Sequence, residues 1–203
     1  MLKIAVFVSG RGSNLRAVYE KVPKSKAEII AIVSDRLDCP AIKFAEEKNI
    51  PVFFVSTKEK ENFITYSQLI DKLKSMNAGL IVLAGFLKKI PDEFVDAFEN
   101  RIINIHPALL PSFGGKGMYG INVHKAVFDS SAKVSGATVH FVDKIYDNGK
   151  IIAQKAVDIS DVKTPEEIAE RVLKIEHELL PFVVEKFADD KIRLENNRVI
   201  ILE

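Results

Sequence analysis

A single cysteine, Cys39, stands among 203 residues. One thiol excludes an internal disulfide and a zinc site built from several cysteines. The four histidines, His106, His124, His140 and His177, are scattered and offer no ligand cluster in its place. An excess of charge is also missing. The formal net charge is +1, with 28% of residues charged. That balance lacks both the basic field of a nucleic-acid binder and an acidic tail, so partners are to be sought in a pocket. Long apolar runs are absent too, and nothing approaches the ~18 consecutive residues of a membrane span. The opening Met1-Leu-Lys-Ile-Ala-Val-Phe-Val8 has an apolar run of five residues and then a glycine turn, which reads as a first strand rather than a signal peptide. A cytoplasmic location is the expectation. What remains is ordinary core material: 47% hydrophobic residues, enough for one soluble domain over 1–203.

Along the chain, short branched apolar runs alternate with helical patterns. Strands are expected at Ile4–Val8, Ala27–Ser34, Pro51–Val55, Gly79–Leu83 and Arg101–Ile105. Helices are expected at Leu15–Lys21, Ala41–Lys48, Asn62–Met76 and from Pro91, which suits a first helical turn. Past Pro107 the rhythm changes. Pro111–Gly120 has four glycines in seven residues and reads as a mobile loop, either a lid or plain disorder. A short helix at Asn122–Phe128 precedes two β-rich runs, Ser135–Val142 and Ile151–Val157, whose joint ends in Asn148-Gly149 and predicts an antiparallel pair. Thr164-Pro-Glu-Glu167 has the form of a capping box, opening a helix that buries Ile168, Val172, Ile175 and Leu179. Arg198–Leu202 suits a small terminal strand. The whole is an α/β fold: a doubly wound, mostly parallel but mixed sheet of about seven strands with helices on both faces.

Three stretches suggest chemistry. Ser9-Gly-Arg-Gly-Ser-Asn14 lies between a first strand and a first helix, where glycines and free N–H groups accept an anion. A dinucleotide fingerprint needs a third glycine at position 15, which is Leu15, although Asp35 imitates its ribose-binding acid. A phosphate monoester fits better, and a plain helix-capping turn is the alternative. Leu83-Ala-Gly-Phe86 ends one strand. Eighteen residues after Phe86, Asn104-Ile-His106-Pro107 ends another. Alternation points Asn104 and His106 the same way, at the strand end where open sheets bind ligands. An amide donor beside a group that titrates near neutrality suits a developing oxyanion. The alternative is a histidine satisfied by backbone and an asparagine capping a turn. By their places in the pattern, His140 on a central strand reads as a satisfied core histidine, with a position bordering the pocket as the alternative, His177 reads as solvent-facing or structural, and Glu176 as a surface charge.

Taken together, Ser9–Asn14, Leu83–Phe86, Asn104-Ile-His-Pro-Ala-Leu-Leu-Pro111, Thr138-Val-His-Phe-Val142, and Asp147 before Ile151-Ile-Ala-Gln154 resemble the phosphoribosylglycinamide formyltransferase family. These purine-pathway enzymes use 10-formyltetrahydrofolate as co-substrate, and the resemblance runs from residue 2 to about residue 187. It implies a Rossmann-like formyltransferase fold, with a phosphate-binding half over 1–100 and a catalytic and folate-binding half over 101–203. It also implies roles. Gly12, Ser13 and Asn14 match the residues that hold the substrate phosphate, and Glu176 the acid that meets the ribonucleotide. Leu87, Lys88, Lys89 and Ile90 match the main chain that reads the pteridine ring, with Asn104 and Asp143 joining the folate contacts. Asn104, His106 and Asp147 match the catalytic trio, in which an ionised Asp147 favours the imidazolium. The implied enzyme needs no metal and no covalent intermediate. It acts on small molecules as a monomer or homodimer, without nucleic-acid or membrane partners. Two departures stand out: Asn62 falls where the family often carries arginine, and Gly149-Lys150 replaces the usual Gly-Pro.

Rivals are weaker. A methionyl-tRNA formyltransferase shares the Asn-x-His core but is expected to add a carboxyl-terminal domain and a basic surface. A formyltetrahydrofolate hydrolase normally adds an amino-terminal regulatory domain. A non-enzymatic nucleotide-binding module has no use for Asn104, His106 and Asp147.

Overall fold

Branched and apolar runs extend into strands because their side chains pack well on a pleated surface, and the computed structural model describes them across residues Met1–Glu203. Two compact units emerge, Met1–Ile103 and Asn104–Glu203. The first contains β1 (Leu2–Val8), α1 (Ser13–Lys21), β2 (Ala27–Ser34), α2 (Ala41–Glu47), β3 (Val52–Ser56), β4 (Ile64–Thr65), α3 (Tyr66–Ser75), β5 (Leu80–Leu83) and α4 (Asp92–Ala97). Its strands pair in parallel: β1 with β2 and β5, β2 with β3, and β3 with β4. Its core closes on Phe7, whose ring meets Phe86 at 5.3 Å and Phe94 at 5.5 Å, both edge-on.

β6 (Ile102–His106) runs into the second unit, which continues with α5 (Ile121–Asp129), β7 (Val134–Phe141), β8 (Ile151–Asp158), α6 (Pro165–Ala188), β9 (Ile192–Glu195) and β10 (Arg198–Ile201). β7 and β8 pair antiparallel with Thr138 opposite Gln154, and the register slips between Val139 and His140. The main sheet is mixed, with eight strands in the order β4-β3-β2-β1-β5-β6-β7-β8, and β9 and β10 form a separate antiparallel hairpin. No helix is long and apolar enough to cross a membrane.

The sheet thus has one strand more than expected. The extra strand, β4, lies where a helix from Asn62 was expected. Asn62 sits in the left-handed region at φ 64°, which a helix cannot contain, and Thr65 caps α3 instead. Its hydroxyl accepts from the Gln68 N–H, while the Gln68 side chain accepts from the Thr65 N–H, a complete capping box. Pro91 is likewise one residue outside its helix, because its ψ of 148° is extended. The box at Thr164 is half formed. Thr164 accepts from the Glu167 N–H, but the Glu167 carboxylate bonds the Lys163 N–H rather than the cap residue's own. The terminal strand has a partner, β9, that the sequence reading missed.

Candidate active site

In the second unit, strand alternation on β6 sends Asn104 and His106 to one side, as the spacing predicts. Asp147 joins them from the joint between β7 and β8, held at φ 52°. Its Oδ2 lies 3.7 Å from His106 Nδ1, too long for a direct hydrogen bond but close for opposite charges. The same oxygen accepts from the Gly115 N–H at 2.9 Å. On the other side of the ring, His106 Nε2–H donates to the Phe113 carbonyl at 2.8 Å. The imidazole is 3% exposed and sits between a carboxylate and a carbonyl.

His140 is a buried, hydrogen-bonded core histidine that also borders this group. Its Nδ1–H donates to the Phe141 carbonyl at 2.7 Å, which leaves Nε2 as an acceptor. That nitrogen lies 3.1 Å from Asn104 Nδ2, so the amide must present its NH2 there. Burial pushes the His140 pKa down, against the pull of the Phe141 carbonyl and Asp147, and keeps the ring neutral for this task. Asp147 Oδ1 is 3.7 Å from the same Nε2. A neutral histidine thereby orients the asparagine, while the carboxylate faces both imidazoles. The signal for His140 in sequence was its place two residues after Thr138 on one strand. The register slip beside it, which re-aims a side chain, was invisible there.

Thr138 and Gln154 hold the turn that follows β6. The Thr138 hydroxyl donates to the Ala108 carbonyl at 2.6 Å and accepts from the Leu110 N–H at 3.1 Å. The Gln154 amide donates to the Leu110 carbonyl at 2.8 Å and to Thr138 Oγ1 at 3.0 Å. These motif residues are pins rather than reagents. Gly114 lets the loop lie against the site, since a Cβ there would come within 3.2 Å of the Asp147 Cβ. Asp143 spends its carboxylate on the joint itself, accepting from the Ile145 N–H and the Asn148 side chain. Glu176 is buried on α6, 8% exposed, and is not the surface charge its sequence setting suggests. His124, on α5, is also buried, with no hydrogen-bond partner at Nδ1. Burial, and then the charge of His106, lower its pKa to about 4.

The first unit carries the glycine turn. Gly12 caps α1 at φ 72°, and a Cβ there would meet the Ala41 Cβ at 2.8 Å. The turn is a glycine position both by conformation and by close packing. Ser13 is the first residue of α1, and Asn14 is buried behind it. The dinucleotide reading fails here in three dimensions as well. Leu15 is fully buried, and the Asp35 carboxylate accepts a 2.6 Å hydrogen bond from the Ser9 hydroxyl. After β5, Leu87–Ile90 forms irregular main chain ahead of α4. Lys88 and Lys89 are exposed, Ile90 is buried, and Lys89 pairs with Asp92 at 3.3 Å. Of this segment's amides, that of Leu87 is already taken, donating to Ser9 Oγ at 3.0 Å. Lys60, near the expected arginine position, lies 4.0 Å over the Phe63 ring.

Comparison with known proteins identifies a family. The formyl transferase family matches residues 2–184. The chloroplastic phosphoribosylglycinamide formyltransferase of Arabidopsis thaliana is 44% identical across 99% of this chain and 70% of its own length. The phosphoribosylglycinamide formyltransferase of Bacillus subtilis (strain 168) is 39% identical across 92% of this chain and 94% of its own. The crystal structure of the Anaplasma phagocytophilum phosphoribosylglycinamide formyltransferase superposes with a TM-score of 0.89 at 33% identity, covering 100% of this chain and 95% of that one. On the matched span, and on relatives of nearly equal length, the chain belongs to the formyl transferase family.

Proposed function

We propose that the protein transfers a formyl group from 10-formyltetrahydrofolate to the primary amine of 5-phosphoribosyl-glycinamide, as a cytoplasmic enzyme of purine synthesis. The observation that carries this reading is the arrangement of Asn104, His106 and Asp147, with His140 orienting the amide. The substrate amine attacks the formyl carbon, forming a C–N bond and moving the carbonyl π pair onto oxygen. The Asn104 N–H and the His106 N–H are the donors for that oxyanion, each worth on the order of 3 kcal/mol of barrier. To reach it, His106 exchanges its bond to the Phe113 carbonyl for one to the oxyanion. Collapse re-forms the C=O bond and expels the folate nitrogen. The proton lost by the amine reaches that nitrogen through His106 or through water held by Asp147.

Binding follows the same division of labour. The Gly12, Ser13 and Asn14 turn takes the phosphate, and Glu176 takes the ribonucleotide. The main chain of Leu87, Lys88, Lys89 and Ile90 reads the pteridine, less the Leu87 N–H, which is engaged with Ser9. Such irregular backbone suits the donor and acceptor edge of a heterocycle.

The test is an absorbance assay of folate product with 10-formyltetrahydrofolate, run with and without glycinamide ribonucleotide. Turnover that depends on the ribonucleotide is expected. Turnover undiminished by its omission would mean hydrolysis, and the transferase reading would be dropped.

A further inference from the structure

Ser9 is the last residue before the glycine turn, and it is 2% exposed, with a hydroxyl that both donates and accepts. The single hydroxyl proton goes to Asp35 Oδ1 at 2.6 Å. With that proton committed, Oγ faces the Leu87 N–H as an acceptor at 3.0 Å. The backbone of Ser9 repeats the connection, its N–H donating to the Gly85 carbonyl at 3.0 Å. The next residue is anchored as well: the Gly10 carbonyl accepts from the Ala41 N–H at 3.2 Å and lies 3.2 Å from the Cys39 thiol. One buried residue therefore starts the turn at Gly12–Asn14 and holds the first amide of the segment at Leu87–Ile90.

We infer that Ser9 is a positioning residue which couples the two ligand sites of the first unit, so that ribonucleotide in the glycine turn raises affinity for folate at Leu87–Ile90. The inference rests on the assignment of those two segments to the two substrates. Asp35 sets the hydroxyl: by taking its only proton, it turns a lone pair toward Leu87. Ordering of the turn by phosphate then passes through a short covalent path, Ser9 to Gly12, to a main chain that ligand must meet in one conformation. Coupling of this kind is reciprocal and amounts to roughly 5-fold or more in affinity.

The experiment measures folate affinity by equilibrium titration, with and without saturating glycinamide ribonucleotide, using the full chain. In the wild type the ribonucleotide should tighten folate binding several-fold. In Ser9→Ala the two affinities should converge, and hydrogen exchange at the Leu87 amide should accelerate. Ser9→Thr, which keeps the hydroxyl, should restore the ratio. A purely structural role would weaken both affinities and leave their ratio intact, and that result would overturn the inference. Should Ser9→Ala fold poorly, Asp35→Ala decides, because it releases the hydroxyl without emptying the buried position. An intact ratio in that variant refutes the coupling. Independent binding in a wild type that still transfers formyl would also refute it, while leaving the proposed reaction standing. Absence of ribonucleotide-dependent turnover in the wild type would remove both.

Discussion

The end of β1 and the end of β6 are built in opposite ways. After β1 the proposed binding groups are backbone amides, shaped by Gly12 at φ 72° and packed against Ala41. After β6 they are side chains drawn from separate segments: Asn104 and His106 from the strand, His140 from β7, and Asp147 from the joint that follows it. A main-chain site is set by local conformation, so damage to it spreads into packing. A side-chain site tolerates loss of one group without loss of fold, so damage to it falls on chemistry.

The sharpest break of that contrast is Asn104→Ala. Turnover should fall by roughly 10² to 10³-fold, the scale of one oxyanion donor, with substrate affinities and melting temperature nearly unchanged. Steady-state kinetics with both substrates would decide, and a large rise in KM at constant kcat would defeat the assignment.

Asp147→Asn comes next. It keeps an acceptor for the Gly115 N–H but removes the charge that faces His106 and His140. A loss of about 10 to 100-fold in kcat is expected, within the usual range for a group assisting proton transfer. Steady-state kinetics would decide, and a kcat equal to that of the wild type would break the proposed pairing.

Gly12→Val probes the other kind of site. The structure changes the reason for the expected loss: the new side chain clashes with Ala41 and strains a left-handed residue, besides crowding the phosphate. Ribonucleotide affinity should drop about tenfold or more while stability falls by about 1–3 kcal/mol. Trimming the neighbour in Gly12→Ala with Ala41→Gly should recover the clash but not the strain. Full recovery by that pair would show that conformation at Gly12 matters less than space.

The smallest effect concerns His124. Its folded pKa of about 4 lies below the ordinary value of 6.5, because burial disfavours the charge. Between those values the unfolded chain binds the proton and the folded chain does not. Stability from this group is therefore complete above about pH 6.5 and declines by up to roughly 1.4 kcal/mol per pH unit toward pH 4. Urea unfolding at pH 7 and pH 5 should show a smaller difference in His124→Gln than in the wild type. Equal differences would mean that the ring is protonated in the fold.

Much of this was readable because it is local. Short branched apolar runs marked every strand of the parallel half except β4, whose two residues carry no pattern of their own. The Asn104–His106 spacing specifies one face of a strand whatever lies around it. Helix boundaries erred where a single dihedral decides, as at Asn62 and Pro91. Burial of Glu176 and the role of His140 were missed for a different reason. Both depend on what packs against them, and a neutral ring that orients an amide looks in sequence like any core histidine.

The sequence by itself determined the class of fold, the Gly12–Asn14 turn and the shared face of Asn104 and His106, since each rests on periodicity or on short spacings along one element, whereas Asp147 and Glu176 stood out only through the family resemblance. Only the tertiary structure decided their orientation and partners: that His140 accepts from Asn104, that His106 lies between Asp147 and the Phe113 carbonyl, and that Ser9 holds Leu87. Those outcomes turn on distances of 2.8 to 3.7 Å between residues 7 to 78 positions apart. Hydrogen-bond direction and burial belong to such contacts, and no spacing along the chain encodes them.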